Sequence, residues 1–512
     1  MVTRATDVVV VGAGVVGVAA AHYLARRGAR VALIDSRPAL SLTSSLSTEC
    51  YRSYWAGHAA MTAFMNRSID LLEERATESG NAFSMNRRGY CFLTKTAEGA
   101  ARHASAALTA GGLVHADGAH GVTYRGHELS YDDARTSDVT AFQGAAAIGA
   151  FFESLPPFVA TDEMSSLLHC GRCGWMNAQQ MGSTLLEQAR ATGSMRTLIP
   201  ATLVGLDVER TGAAAADGAG TVRGVLLRSP DSADVTHIRC GAVVNCAGPF
   251  AASVNTLLLG AAGADEVGGG APTPPPGTPV TTSAASAASG PLPLENEVHA
   301  KAVLRDPVGA VPQEAPMMIF EDEVSLPWTP DERADLLSMG GFEASLVRPL
   351  AGGAHFRPYP GATGSLLMLW EALHAEVAVA EPPPAVPELN PLFAELVLRG
   401  LSPMAPGLAR YFDESGSMAA HVAVDGGYYT KTPDNLPLVG PLPGGAQGTY
   451  VCAGFSGYGV MAANAAGDLL ASHVLGEPLP AAYAPAFLPE RWWDAGYRER
   501  VATGAEGKGL QI

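Results

Sequence analysis

The chain is short of positive charge. In 512 residues, 33 Lys and Arg face 50 Asp and Glu, for a formal net charge of −17. That balance disfavours polyanions, so no nucleic acid and no anionic membrane surface is expected as a partner. No apolar run approaches the ~20 residues that a bilayer requires, and no membrane span is expected. Only six residues precede Asp7, where the first patterned unit begins. A cleavable targeting peptide has no room there, so the expected location is intracellular, cytoplasmic or in an organelle matrix. Cysteine is sparse and odd in number, seven in all, without the regular spacing of a disulfide framework; reduced thiols are expected. Cys170-Gly-Arg-Cys173, beside His169, lacks a second pair at zinc spacing, and no metal site is expected. No Ser/His/Asp arrangement or paired-carboxylate motif stands out.

What is present is concentrated at the start. The run Asp7-Val-Val-Val-Val-Gly12-Ala13-Gly14-Val15-Val16-Gly17 puts four consecutive valines before a GxGxxG spacing. The valines read as a buried parallel strand. A helix of small residues follows, and then a second apolar strand, Val-Ala-Leu-Ile, ends in Asp35. In such a unit the first glycine allows the tight turn, the second lets a pyrophosphate approach the backbone, and the third lets helix and strand pack closely. The phosphates sit at the helix N-terminus, where free N–H groups favour anions. Asp35 follows at the distance expected of a ribose-binding carboxylate. The unit therefore predicts a bound dinucleotide. Residues 36–54 are hydroxyl-rich, with Ser36, Ser44 and Ser45 among them, and read as a loop that returns over the phosphates.

Farther on, residues 60–79 and 97–110 read as helices and 88–93 as a strand. Asn177 is a candidate N-cap for a helix ending near Thr192. Runs at 201–208, 224–228 and 238–245 read as a β-meander that ends in Gly241-Ala-Val-Val-Asn245-Cys-Ala247-Gly248. Residues 260–293 are mainly Gly, Pro, Ala, Ser and Thr with few large apolar side chains. They cannot bury enough surface to offset ordering, and a disordered insertion is expected. The end of the chain holds a second glycine-rich turn, Gly454-Phe-Ser-Gly457-Tyr458-Gly459, leading into a helix of small residues. No second GxGxxG follows a strand, so a soluble nicotinamide alongside the first nucleotide is not indicated.

The opening unit, the Val-Val-Asn245-Cys-Ala-Gly248-Pro-Phe piece, the Tyr428-Tyr-Thr430-Lys-Thr-Pro433-Asp434-Asn-Leu-Pro437 piece and the Gly454 turn occur in one order. Together they resemble the FAD-dependent D-amino acid oxidase-like superfamily, and within it the sarcosine oxidase, glycine oxidase and dimethylglycine dehydrogenase group, over roughly residues 7–475. The resemblance implies an α/β fold: a discontinuous Rossmann-like FAD-binding domain and a substrate domain built on an antiparallel sheet. The FAD-binding domain is expected over 1–93, 171–250 and 418–475, the substrate domain over 94–170 and 294–417, and a C-terminal tail over 476–512. FAD contacts are expected from Gly12, Ala13, Gly14, Val15, Val16 and Gly17. Asp35, Ser36, Arg37, Ser44 and Ser45 are expected to join them. The resemblance adds Val204, Ala247, Gly248, Gly454, Gly457, Tyr458, Gly459, Val460 and Met461. A helix start at Gly457–Gly459 would favour the negative charge of a reduced flavin.

The implied chemistry is oxidation of the C–N bond of an amino acid or N-methyl amino acid, by hydride transfer to flavin and hydrolysis of the imine. Arg52 matches a carboxylate-binding arginine of sarcosine oxidase-like proteins, and a planar guanidinium fork suits a carboxylate. His355 and Arg357 are further candidates to face the substrate. No side chain is assigned as a base. Two lysines of the sarcosine oxidase pattern are matched here by Met368 and Met461. That departure favours a dehydrogenase passing electrons to a protein or quinone over an oxidase. Gly427 stands where a cysteine would attach the flavin, and Cys50 stands near a second attachment position; FAD is expected to be non-covalent. Two other readings stay open: a flavoprotein acting on a 2-hydroxy acid or other CH–OH substrate, and a flavin-bearing assembly factor with little turnover.

Overall fold

The computed structural model describes residues 6–116, 122–133, 139–210, 220–230, 232, 234–263, 292–359, 364–373, 388–413 and 421–504. The valine run forms the strand Val8–Val11 at the centre of a six-stranded sheet. Its order is Leu438–Pro441, Thr449–Ala453, Ala242–Asn245, Val8–Val11, Val31–Ile34, Met195–Leu198. All neighbours are parallel except the first pair. A strand buried on both faces needs apolar residues at every position, and all four valines are buried. Val8 and Val10 face the helices Val15–Arg26, Ala59–Ser79, Ala178–Ala191 and Gly459–Leu475. Val9 and Val11 face a three-stranded antiparallel sheet and the helix Ala251–Gly263. The expected cap is formed: the Asn177 side chain accepts a hydrogen bond from the Gln180 N–H at 2.8 Å.

The second layer system is a nine-stranded sheet. Its order is Val422–Lys431, Glu295–Arg305, Ser365–Leu369, Ala354–Pro358, Met317–Phe320, Tyr90–Thr94, Ser166–Cys170, Val139–Gln143, Leu113–Ala116. It is antiparallel apart from Met317–Phe320 with Tyr90–Thr94 and Leu113–Ala116 with Val139–Gln143. One face is sealed by a core that includes the helix Phe393–Leu401. Part of the other packs against Cys50, Cys173 and Trp175 of a short two-stranded sheet. The fold class is thus α/β with parallel and antiparallel sheets, as expected.

Several sequence expectations change here. Tyr90–Thr94 and Val422–Lys431, placed by sequence with the nucleotide-binding segments, pair within the nine-stranded sheet. The meander comprises Thr202–Glu209, Thr221–Arg228 and Val235–Arg239, and Ala242–Asn245 leaves it to pair with Val8–Val11. Most of the 260–293 insertion, residues 264–291, lies outside the described residues, while 260–263 complete the helix Ala251–Gly263. The segment 476–504 makes up most of the expected C-terminal tail. It forms short helices that bury Phe487, Trp492 and Val501. Among the described residues, no helix is long and apolar enough to cross a membrane, and no group of three or more His, Cys, Asp or Glu is placed to hold a metal ion.

Candidate active site

A cleft of about 390 Å³ runs from Asp35 to Tyr429 between the two sheets. The GxGxxG turn forms its floor. A Cβ at Gly17 would come within 1.8 Å of the Gly12 carbonyl oxygen, and one at Gly12 (φ +102°) within 2.3 Å of the Cys246 oxygen. These two glycines therefore permit strand and helix to touch. Gly14 differs: a Cβ there meets only Ser44 Oγ, at 3.1 Å, and Gly14 lines the cleft. The Asp35 carboxylate is held by the N–H groups of Ala13 and Arg37 at 2.7 and 2.8 Å. The Ser44 hydroxyl accepts from the Val15 N–H at 3.0 Å, and the Arg37 guanidinium lies over the Phe250 ring at 4.7 Å.

Two helix N-termini open onto the cleft. Gly14, Val15 and Val16 begin one, and Gly457, Gly459 and Val460 begin the other. Neither carries an acidic residue in its first turn, so the positive dipole end of each is available to a ligand. An acid at one end, a phosphate-favouring turn beside it and a second helix start at the far end fit the extended shape of FAD. Gly12, Gly14, Val15, Val16, Asp35, Ser36, Arg37, Ser44, Ala247, Gly248, Gly454, Gly457, Gly459 and Val460 all line this cleft. Ala13 and Gly17 stand behind it as packing and backbone support. Ser45 is exposed, donates to the Leu42 carbonyl and does not line the cleft. Val204 is not a lining residue either. A bulge between Leu203 and Gly205 takes it out of register, and Ala201, Thr202 and Leu203 reach the cleft instead.

A second cavity of about 90 Å³ adjoins the far end. The two share Thr48, His299, Ala300, Leu369, Tyr429 and Gly457. Its walls are mostly apolar or aromatic: Trp55, Tyr90, Met317, Leu369, Trp370, Tyr458 and Met461. Tyr458 and Met461, expected at the cofactor, line this smaller space.

Arg52 enters it from the short strand Cys50–Arg52, which pairs with Cys173–Trp175. Its guanidinium stacks 3.9 Å from the Trp55 ring centroid, and burial lowers its pKa from the usual arginine value. Trp55 meets Tyr458 edge-on at 5.2 Å, and the Tyr458 hydroxyl donates to the Asn435 carbonyl at 2.6 Å. His355 is also in the wall. Its Nδ1 lies 2.8 Å from the Gly353 carbonyl oxygen, and burial takes its pKa down to about 4, so the ring is neutral near pH 7. Cys50 lines the same cavity with its thiol on the Thr48 carbonyl at 3.1 Å; burial raises its pKa, which disfavours the thiolate.

Two residues depart from expectation. Arg357 is fully buried but lines neither cavity. Its Nη2 donates to the Thr48 carbonyl at 2.7 Å and its Nη1 to the Pro358 carbonyl at 3.0 Å, so it fixes the Thr48–Glu49 turn rather than a ligand. Met368 faces the core beneath the nine-stranded sheet. Strand alternation puts its neighbour Leu369 at the junction of the two cavities. Cys170 and Cys173 are both buried free thiols and line neither cavity. Sequence reasoning did not find Glu371, which also lines the small cavity. An acid one residue beyond a buried strand gives no signal of its own.

Known proteins resemble this chain in sequence family and in fold. A family model described as FAD dependent oxidoreductase matches residues 7–473. Among solved structures, L-proline dehydrogenase from P. horikoshii is similar with a TM-score of 0.63 at 18% identity, over 96% of this chain and 98% of that one. Glycine oxidase from Geobacillus kaustophilus gives 0.59 at 16%, over 95% and 98%. Iminodiacetate oxidase from Chelativorans sp. BNC1 gives 0.58 at 16%, over 94% and 99%. Among curated proteins, a tRNA 5-methylaminomethyl-2-thiouridine biosynthesis bifunctional protein of Paracidovorax citrulli is 32% identical over 136 residues, 26% of this chain. The matched stretch spans only 21% of that protein's length.

Proposed function

The chain belongs to the family of FAD dependent oxidoreductases, and from that premise we propose that it oxidises the C–N bond of a small amino acid or N-methyl amino acid. The observation that carries this reading is Arg52, a buried guanidinium in a 90 Å³ cavity that adjoins the flavin end of the cleft. A carboxylate on that fork would be held in a dry pocket beside the cofactor site. When bound, FAD supplies the two-electron acceptor. The chain supplies the rest. Trp55 and Thr48 hold the substrate end of the pocket, Leu369 and Met461 keep water from its walls, and Arg357 fixes the Thr48 carbonyl. The proline dehydrogenase, glycine oxidase and iminodiacetate oxidase named above act on substrates of this kind, which supports the reading without choosing among them.

We extend the proposal to the electron acceptor. The residues at the cavity junction, Leu369 and Met461, are apolar, and the lysine of the cleft, Lys301, is bound to Asp425 at 2.6 Å. No lysine lines the smaller cavity. That favours a dehydrogenase handing electrons to a protein or quinone.

The test is anaerobic mixing of the FAD-loaded protein with glycine, N-methylglycine, alanine and proline, followed by flavin absorbance. Bleaching by at least one amino acid is expected, with slow recovery in air and fast recovery with a quinone. Bleaching by 2-hydroxy acids but by no amine would overturn the amino-acid reading. Fast recovery in air would overturn the dehydrogenase part alone.

A further inference from the structure

Glu371 opens the short helical turn Glu371–Leu373 directly after the strand Ser365–Leu369 and Trp370. Leu366 and Met368 enter the core under the sheet, while Leu369 and Glu371 reach the small cavity. Arg52 and Glu371 therefore bring one cation and one carboxyl group into a space of about 90 Å³.

We propose that Glu371 accepts the proton of the substrate ammonium, so that the cavity takes a small amino acid by both ends, carboxylate on Arg52 and amine toward Glu371. This rests on the amino-acid reading above. An ammonium nitrogen has no free electron pair and cannot form a C=N bond. In the step proposed, an ammonium N–H bond breaks, an O–H bond forms on Glu371, and the nitrogen keeps the electron pair. Bound FAD would supply the acceptor for the Cα hydrogen together with the two electrons of its bond, and the nitrogen pair closes the imine double bond.

The surroundings suit that role. Sharing the cavity with Glu371, or acting on its charge, are Arg52 and Cys50 on one strand, Tyr90 on a second, His355 on a third, Glu297 and His299 on a fourth, Tyr429 and Lys431 on a fifth, and Tyr458 at a helix start. Lys431 is bound to Glu297 at 2.6 Å, and His299 Nε2 lies 3.0 Å from the same carboxylate. Burial lifts the Glu371 carboxyl to about 7, Lys431 and Arg52 draw it down, and Glu297 adds to the rise. A base near neutrality exchanges a proton at little cost. His355, down at about 4, is too weak a base to hold an ammonium proton, and burial keeps Tyr429 a phenol.

The test uses the FAD-loaded enzyme, the panel amino acid that bleaches it fastest, and propionate, which has the carboxylate without the amine. In the native enzyme the bleaching rate should rise with pH through an acid limb near 7. In Glu371→Gln that limb should move up toward the free ammonium, with the rate at neutral pH falling about 10²-fold. Propionate should bind the variant at least as tightly, by calorimetry, because its carboxylate loses a neighbouring negative charge. Glu371→Asp should keep part of the limb, and it decides the matter if the glutamine variant fails to take up FAD. Identical pH profiles in native and variant enzymes would overturn the assignment to Glu371 alone. Failure of every amino acid to bleach the native enzyme would overturn the reading beneath it.

Discussion

The Arg52 guanidinium lies 3.9 Å from the centroid of the Trp55 ring, and the same ring meets Tyr458 at the start of the last long helix. One aromatic thus holds the cavity's cation against the helix end that borders the cofactor cleft. Cation–π contact orients the fork at some cost in hydration, which an incoming carboxylate repays. Arg52→Ala should raise KM for the amino acid about 10²-fold, the scale for removing one partner of a buried charge pair. Arg52→Lys should fall between, because an ammonium keeps the charge and loses the planar fork. Steady-state kinetics with an amino acid and with an amine that lacks a carboxylate check this; equal KM changes for both would count against carboxylate binding.

The glycines of the first turn should separate folding from cofactor binding. A Cβ at Gly17 would meet a backbone oxygen at 1.8 Å, whereas one at Gly14 meets only Ser44 Oγ at 3.1 Å. Gly17→Ala should therefore lower the melting temperature of the FAD-free protein, at an overpacking cost of about 1–3 kcal/mol. Gly14→Ala should leave that temperature nearly unchanged and weaken FAD binding, because its Cβ would stand where the pyrophosphate approaches. Thermal melts with and without FAD, together with flavin-to-protein absorbance ratios, read the two effects separately.

The C-terminal segment should prove structural. Asp434 is fully buried, and Arg491 Nε donates to it at 2.8 Å, with Tyr497 and Thr432 hydroxyls at 2.6 and 2.7 Å. Burial raises the Asp434 carboxyl, but Arg491 and the two hydroxyls outweigh it and leave the pKa below the usual aspartate value. Arg491→Ala would strand a buried charge, a change that costs about 3–5 kcal/mol. The neighbouring Asn435 carbonyl anchors Tyr458, so FAD affinity should fall with stability. Chemical denaturation of the variant, with FAD content measured alongside, tests both; unchanged stability would mean that the segment only decorates the fold.

The sequence was legible where local pattern and chemistry coincide. The glycine unit, Asp35 and the Asn177 cap needed no partner to be identified, because backbone turns and caps are set within a few residues. Strand partners were not legible. Tyr90–Thr94 and Val422–Lys431 look alike whichever sheet they join, since an apolar run records burial and not the neighbour. Met368 and Leu369 show the period-two problem: a one-residue error in alignment exchanges the core face for the cavity face. Arg357 misled because a fully buried arginine can serve backbone carbonyls as well as a ligand. The acid that does reach the cavity, Glu371, is marked only by where its strand ends.

Acid should loosen the protein through His22. The ring is fully buried on the first helix, with Nδ1 3.0 Å from the Leu185 carbonyl oxygen and Nε2 3.5 Å from Arg75 Nη1. Burial is the main cause that lowers its pKa to about 4, with help from the Arg75 charge. The unfolded chain takes up a proton near 6.5 while the folded one does not. The contribution is therefore whole above about pH 6.5 and is lost as pH falls toward 4, at about 1.4 kcal/mol per pH unit. His169, also lowered to about 4 by burial, acts in the same direction. The melting temperature should fall steadily between pH 6.5 and 4. In His22→Gln, which cannot take up that proton in either state, the slope should be shallower by about one proton's worth. A slope unchanged by the substitution would show that His22 is not among the groups that set the acid limit.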